Sequence, residues 1–354
     1  MRNAKAEKVS PLAGFFRSRG YAPDRDDPGS GFAEFDGVEK EWNAVERGVA
    51  LRDCSRLTIV EASGEGSRAL VDRLATKPAP QERRGAAAEL AFLNAAGQTV
   101  AVADALLFKK RVVALAPYGD RLARWLARYV ADEETTVRET GDDLAAVEFR
   151  GPHAGSFLTM FFGDAAKLAP GDAARALDDG AEFALANFSR EDDPRFLLLA
   201  EPRAVIGALE RALDDAGAFE PRLMGDRVAR LLRLDKALPG APEIAAAENL
   251  IEAGAERLVD FDKPAFIGRE AIRDVRQKGT RRRLRAFCSE EPFSLDEPTD
   301  LFDERDELVG TLTSVAEDFR TGGALALGIV LTDRQSERWS ARANGERRTL
   351  RSRR

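Results

Sequence analysis

A chain of 354 residues is longer than one core comfortably serves, so two or three domains are expected, and 44% hydrophobic residues suffice to fill their interiors. The net charge of −7 argues against a nucleic-acid partner, no apolar run reaches the length of a membrane span, and the opening MRNAKAEKVSPLAGFF lacks the apolar core of a signal peptide. Cys54 and Cys288 make neither a disulfide framework nor a metal-ligand spacing, and any triad or histidine-rich zinc site would have to be built around His153 alone. A reducing cytoplasm and no metal are therefore expected, with chemistry left to carboxylates, Arg, Lys or a bound cofactor.

Residues 1–36, rich in Arg, Asp, Gly and Pro, read as a loosely ordered lead-in. A short helix and turn follow from Glu41 to Ser55. Leu57–Glu61 alternates as a strand, and Ser67–Lys77 carries Leu70, Val71 and Leu74 at helical spacing. Ala88–Asn94 and Val100–Phe108 are strands joined by an Ala95–Gln98 turn, and Arg111–Pro117 is a third. Asp120–Val130 places Leu122, Trp125, Leu126 and Tyr129 on one helix face, a core pattern rather than a stacking platform. The order then recurs: strand Ala145–Gly151, helix Ala154–Phe162, strands Ala181–Phe188 and Arg195–Glu201, helix Arg203–Ala216. Two α+β units side by side are predicted, about 37–140 and 141–280. Arg283–Cys288, Glu307–Ser314 and Ala324–Leu331 are short strand-like runs without helical period, so 281–345 reads as a small all-β unit. Residues 346–354 read as a solvated basic tail.

The segment Leu231–Ile272 has a different texture. Acidic groups recur beside turn-forming Pro and Gly, flanked by short apolar runs, which suits an irregular wall lined with hydrogen-bond acceptors. Its pieces are LRLDKA at Leu232–Ala237, Glu243-Ile244, LIEAG at Leu250–Gly254 and DKPAFIGREAI at Asp262–Ile272. In order and spacing they resemble the folate-binding segment of the glycine-cleavage T-protein (aminomethyltransferase) family, which includes domains of sarcosine and dimethylglycine dehydrogenases. Two further stretches carry the same resemblance: Glu41–Ser55, with Arg52 where the family has Phe, and Glu307–Val330. The resemblance implies two ferredoxin-like units and a C-terminal small β-barrel around a central channel, with tetrahydrofolate in the channel and 37–280 as the folate-binding region.

It also implies site residues. Asp104 falls in the place of the family's functional carboxylate on a strand after a Gly turn, with Ala103 where the family has a first Asp. An Asp inside an apolar run is costly to bury unpaired, and a site carboxylate or an outward strand residue both account for it. A carboxylate suits the guanidine-like edge of the pterin, and the family's Glu at that place is Asp235 here, followed by Ala237 in place of Gly. Arg233 and Asp235 also fit a plain surface ion pair. Glu252 matches the acid of the Glu-Ala-Gly element, and Lys263 and Arg269 match basic positions that would face the glutamate tail of folate; Glu270, opening a helix, has no assigned role.

Three functions remain open. The first is a tetrahydrofolate-dependent transferase taking a one-carbon unit from a small amine or methyl donor, with Asp104 as catalytic carboxylate. The second is a folate-binding accessory protein without turnover, and the third an interaction protein that keeps the fold alone. There is no dinucleotide Gly fingerprint, so a donor made by amine oxidation would come from a partner protein.

Overall fold

The computed structural model describes residues 8–23, 31–80, 85–117, 119–131, 134–215 and 217–353. The chain forms two compact units, Met1–Phe92 with Val100–Asp226, and Leu93–Thr99 with Arg227–Arg354. The first contains α1 (Ala13–Ser18), α2 (Val38–Arg47), β1 (Ala50–Asp53), β2 (Thr58–Ser63), α3 (Ser67–Leu74), β3 (Ala86–Leu93), β4 (Thr99–Phe108), β5 (Arg111–Ala116), α4 (Gly119–Arg128) and β6 (Thr136–Glu139). It continues with β7 (Ala145–Arg150), α5 (Ala154–Phe162), β8 (Ala173–Asp178), β9 (Ala181–Asn187), β10 (Arg195–Ala200), α6 (Pro202–Asp214) and β11 (Arg222–Leu223).

These strands make two sheets, ordered β3-β4-β5-β2-β6 and β11-β1-β7-β10-β9-β8. Strand β10 shows why its sequence is almost wholly apolar. Phe196, Leu198 and Ala200 enter one core with α5, α6 and α1, whereas Leu197 and Leu199 enter a second. That second core is a layer between the sheets, with Ile59, Leu106, Phe108, Val113 and Leu115 from the five-stranded sheet. A strand covered on both faces loses its polar alternation. Helices α3 and α4 pack on the five-stranded sheet through buried Leu70, Val71, Leu74, Leu122 and Leu126.

The lead-in expectation for 1–36 is corrected by its described part. Leu12, Phe15, Phe16 and Phe32 are buried in the core with α5 and α6, and Tyr21 and Phe35 pack edge-on in the same group. A few aromatic residues outweigh the surrounding charge and Pro, because each removes a large apolar area from water. Residues 1–7 and 24–30 lie outside the described residues. Glu41 of α2 is fully buried and accepts backbone N–H groups from Phe35, Asp36 and Gly225.

The second unit holds α7 (Asp226–Asp235), α8 (Ala241–Ala246), α9 (Arg269–Lys278), β12 (Arg282–Ser289), β13 (Thr299–Phe302), β14 (Leu308–Asp318), β15 (Gly323–Leu331), β16 (Trp339–Ala343) and β17 (Glu346–Ser352). The six strands close into a barrel, β12-β15-β14-β13-β16-β17. The expected α+β layers and C-terminal barrel are both present. The barrel is longer than 281–345, however. The basic tail is strand β17, paired to β16 from Trp339↔Leu350 to Ala343↔Glu346 and to β12 at Cys288↔Arg351. Leu350 alone is fully buried; Arg348 shares its face and is half-buried, while Arg347 and Arg351 are exposed on the other face, so one fully buried apolar residue suffices for a closing strand. The irregular wall also begins with regular structure, since Val228, Leu231, Leu232 and Leu234 bury one side of α7. No helix among the described residues is long and apolar enough to cross a membrane.

Candidate functional site

The apolar layer of the first unit ends in charge. On β4, Asp104 shares a face with Leu106 and Phe108; on β10, Arg195 shares one with Leu197 and Leu199; on β7, Glu148 follows Ala146. Arg195 grips Asp104 with a two-pronged fork, Nη1 donating to Oδ1 at 3.1 Å and Nη2 to Oδ2. Its Nε donates to Glu148 Oε2 at 2.6 Å, and its guanidinium lies 5.1 Å from the Phe188 ring centre. Arg150 Nε donates to the other oxygen, Glu148 Oε1, at 2.7 Å, and Arg150 Nη1 to Asp193 at 2.6 Å. Arg150 and Arg195 are direct cross-strand partners, a repulsive pairing that Glu148 between them reverses.

Glu148 is 2% exposed. Burial, the largest influence, would push its carboxyl up, but Arg150, Arg195 and Arg52 together hold it well below the usual range. Cys54, in the same layer, has its thiol pushed up to about 12 by burial and by Glu148, which favours the neutral thiol. Asp104 is less enclosed, with its side chain 17% exposed. Near the opposite end of β10, a cleft of about 1010 Å³ opens beside Val113, Leu144 and Leu199, rimmed by Arg111, Arg138 and Arg203. The first two of these arginines reach Glu61 at 3.2 and 3.4 Å.

In the second unit, Arg233 and Asp235 occupy the last turn of α7. Arg233 donates to Glu243 Oε2 at 2.6 Å, to Ser314 Oγ at 2.8 Å and to the Leu238 carbonyl at 3.1 Å. Glu243 is fully buried at the start of α8 and also accepts from Gly240 N at 2.7 Å, Thr313 Oγ1 at 2.7 Å and Ser314 Oγ at 2.5 Å. Burial raises its carboxyl, yet Arg233 and these hydroxyl and N–H donors outweigh that and hold it low. Three motif pieces distant in sequence thus meet in one buried node, with the hydroxyls presented at a β-bulge of β14.

Asp235 points elsewhere. Its Oδ1 accepts from Arg320 at 2.9 Å and Arg353 at 3.1 Å, and Arg320 is shared with Asp318. Glu252, 2% exposed, accepts from Arg282 at 3.1 Å and from Glu248 N at 3.1 Å. Lys263 is buried, and its carbonyl accepts from Arg269 Nε at 2.8 Å, while Arg269 Nη1 reaches Glu270 at 2.6 Å. Gly268, between them in sequence, has φ +84°, and a Cβ there would stand 2.4 Å from the Asn94 carbonyl oxygen. This motif glycine therefore answers to backbone packing. Ala237 adopts φ +50°, the left-handed region that suits the glycine it replaces.

Of the expected site residues, the structure joins Lys263 to Arg269 and leaves Asp235 and Glu252 in separate ion pairs. Sequence reasoning missed Arg195, Glu148 and the burial of Glu243. Glu148 was findable, as a carboxylate inside the apolar run AAVEFR.

Comparison with known proteins bears on the family and the fold. The GCVT N-terminal domain family model matches residues 2–263. Aminomethyltransferase of Bacillus cytotoxicus is 26% identical over 263 residues, 71% of this chain and 70% of that protein. Aminomethyltransferase of Synechococcus elongatus is 28% identical over 267 residues, 71% and 69% of the respective chains. The crystal structure of glycine cleavage system aminomethyltransferase T from Bartonella henselae superposes with a TM-score of 0.79 at 18% identity, covering 98% of this chain and 96% of that one; at that identity the likeness speaks for the fold. With the family model covering most of its length, the chain belongs to the GCVT N-terminal domain family.

Proposed function

We propose that this protein binds tetrahydrofolate and transfers to it a one-carbon unit from a small amine or methyl donor. The observation that carries the reading is Asp104, a carboxylate at the matching place of the family motif, held at the rim of the apolar layer with its side chain 17% exposed. There it accepts a hydrogen bond from a nitrogen at the reacting end, while the enclosing site limits loss of the carbon to water. In this reading, which rests on the family motif, Asp235 takes the pterin edge, Arg233 and Glu252 also belong to the folate-binding set, and Lys263 and Arg269 serve the glutamate tail. A donor produced by oxidation is supplied by a partner protein, and the cytoplasm is the expected setting.

A second reading, a folate-binding or interaction protein without turnover, is favoured by one observation. Asp235 already serves two guanidiniums, and Arg233 serves Glu243, so both motif residues have work in holding the fold. Anaerobic calorimetric titration with tetrahydrofolate, on the wild type and on Asp104→Ala and Asp235→Ala, tests both. Micromolar binding lost in Asp235→Ala supports the pterin contact, and single-turnover transfer from trial amine donors then separates the readings. No binding by the wild type up to millimolar ligand refutes both folate readings.

A further inference from the structure

We propose that Arg195 is a positioning residue for Asp104, fixing the direction in which that carboxylate accepts a hydrogen bond from a ligand nitrogen. The inference rests on the tetrahydrofolate reading above. A carboxylate held at both oxygens by one planar guanidinium cannot turn about its own axis without losing a charge-assisted bond. Each oxygen has one acceptor direction occupied, so the direction left for a ligand is set by the plane of the fork. That plane is set in turn from outside. Arg195 is tied through Nε to Glu148 and lies against Phe188, and Glu148 is anchored from the other side by Arg150, itself bound to Asp193. Asp104 thus takes its orientation from a chain of ion pairs that begins on another sheet, and an error of about 1 Å in such a group is enough to cost binding or rate. Nothing in the sequence resemblance assigned Arg195 a role.

The test is a double-mutant cycle read by anaerobic tetrahydrofolate calorimetry on wild type, Arg195→Gln, Asp104→Asn and the double variant, with thermal melting of each. Arg195→Gln is expected to weaken binding about tenfold, or about 1.4 kcal/mol. In the Asp104→Asn background the same change is expected to cost no further affinity, although it still lowers the melting temperature. Arg195→Lys, which keeps the charge but not the fork, is expected to lose affinity while retaining more stability than Arg195→Gln. An affinity loss of equal size in both backgrounds marks a general structural role and overturns the proposal, as does wild-type affinity in Arg195→Gln. If Asp104→Asn binds like the wild type, the role of Asp104 and this inference fall while folate binding stands. If the wild type does not bind, the functional reading fails and takes the inference with it.

Discussion

Replacing Glu148 by Gln is the sharpest perturbation available. The carboxylate is 2% exposed and accepts charge-assisted bonds from two guanidiniums whose side chains are 15% and 18% exposed. Gln keeps the shape but removes the charge, and its amide N–H₂ must face one of the two donors. Removing one partner of a buried ion pair costs about 3–5 kcal/mol. Arg195 keeps Asp104 and Arg150 keeps Asp193, so we reduce this to about 2–4 kcal/mol here. For a unit of this size that corresponds to a melting temperature roughly 5–15 °C lower. Urea unfolding followed by circular dichroism measures the loss. Its pH dependence supplies a second check. The Glu148 carboxyl is held low in the folded protein, so its contribution is present above the unfolded carboxylate value of about 4.3 and is lost as pH falls toward the folded value. The gap between wild type and variant must therefore narrow below about pH 4. A loss under about 1 kcal/mol at neutral pH, or a gap that widens in acid, would show that the Glu148 carboxylate is not a paired buried charge that stabilises the fold.

Ala237→Gly should stabilise the second unit by up to about 1 kcal/mol, because the left-handed conformation at φ +50° costs an L-residue more than glycine; a destabilised variant in urea titration would count against strain there. Arg233→Ala leaves Glu243 without its cation and should cost about 2–4 kcal/mol. Combined with Glu243→Gln the loss should be far from additive, and additive losses would mean that the pair is independent. Leu350→Ala should cost about 2–4 kcal/mol, since its side chain is fully buried in the barrel; an unchanged melting curve would mean that residues 346–352 are the solvated tail their composition suggests.

How much of this was legible in the sequence depended on whether the signal was local. Arg195–Ala200 and Thr99–Phe108 announced themselves as strands because each is an apolar run bounded by turn residues or charge. The strand Ala173–Asp178 did not, since its small alanines, its arginine and its exposed Leu177 give no clean alternation. Strand Glu346–Ser352 was hidden for a related reason: three arginines and three other polar or charged residues surround its single buried leucine. Asp104 was visible as a carboxylate in an apolar run, but its partner lies 91 residues away and becomes a partner only when two sheets meet. The node at Glu243 joins hydroxyls 70 and 71 residues distant. The motif marked Arg233 and Glu243 as a pattern; only the fold shows that a large part of that pattern is structural.

The closing strand has a consequence for how the protein is made. Strand β12 needs β17 as a neighbour, with Phe287 opposite Ser352. At about 5–20 residues per second, the 63 residues between Ser289 and Ser352 take roughly 3–13 s to synthesise. Throughout that interval β12 lacks its β17 neighbour, leaving an edge onto which a neighbouring chain on the same message could add. Arg282, Arg283 and Arg285 of β12 are well placed to repel such a neighbour, since two copies of this edge would bring like charges together.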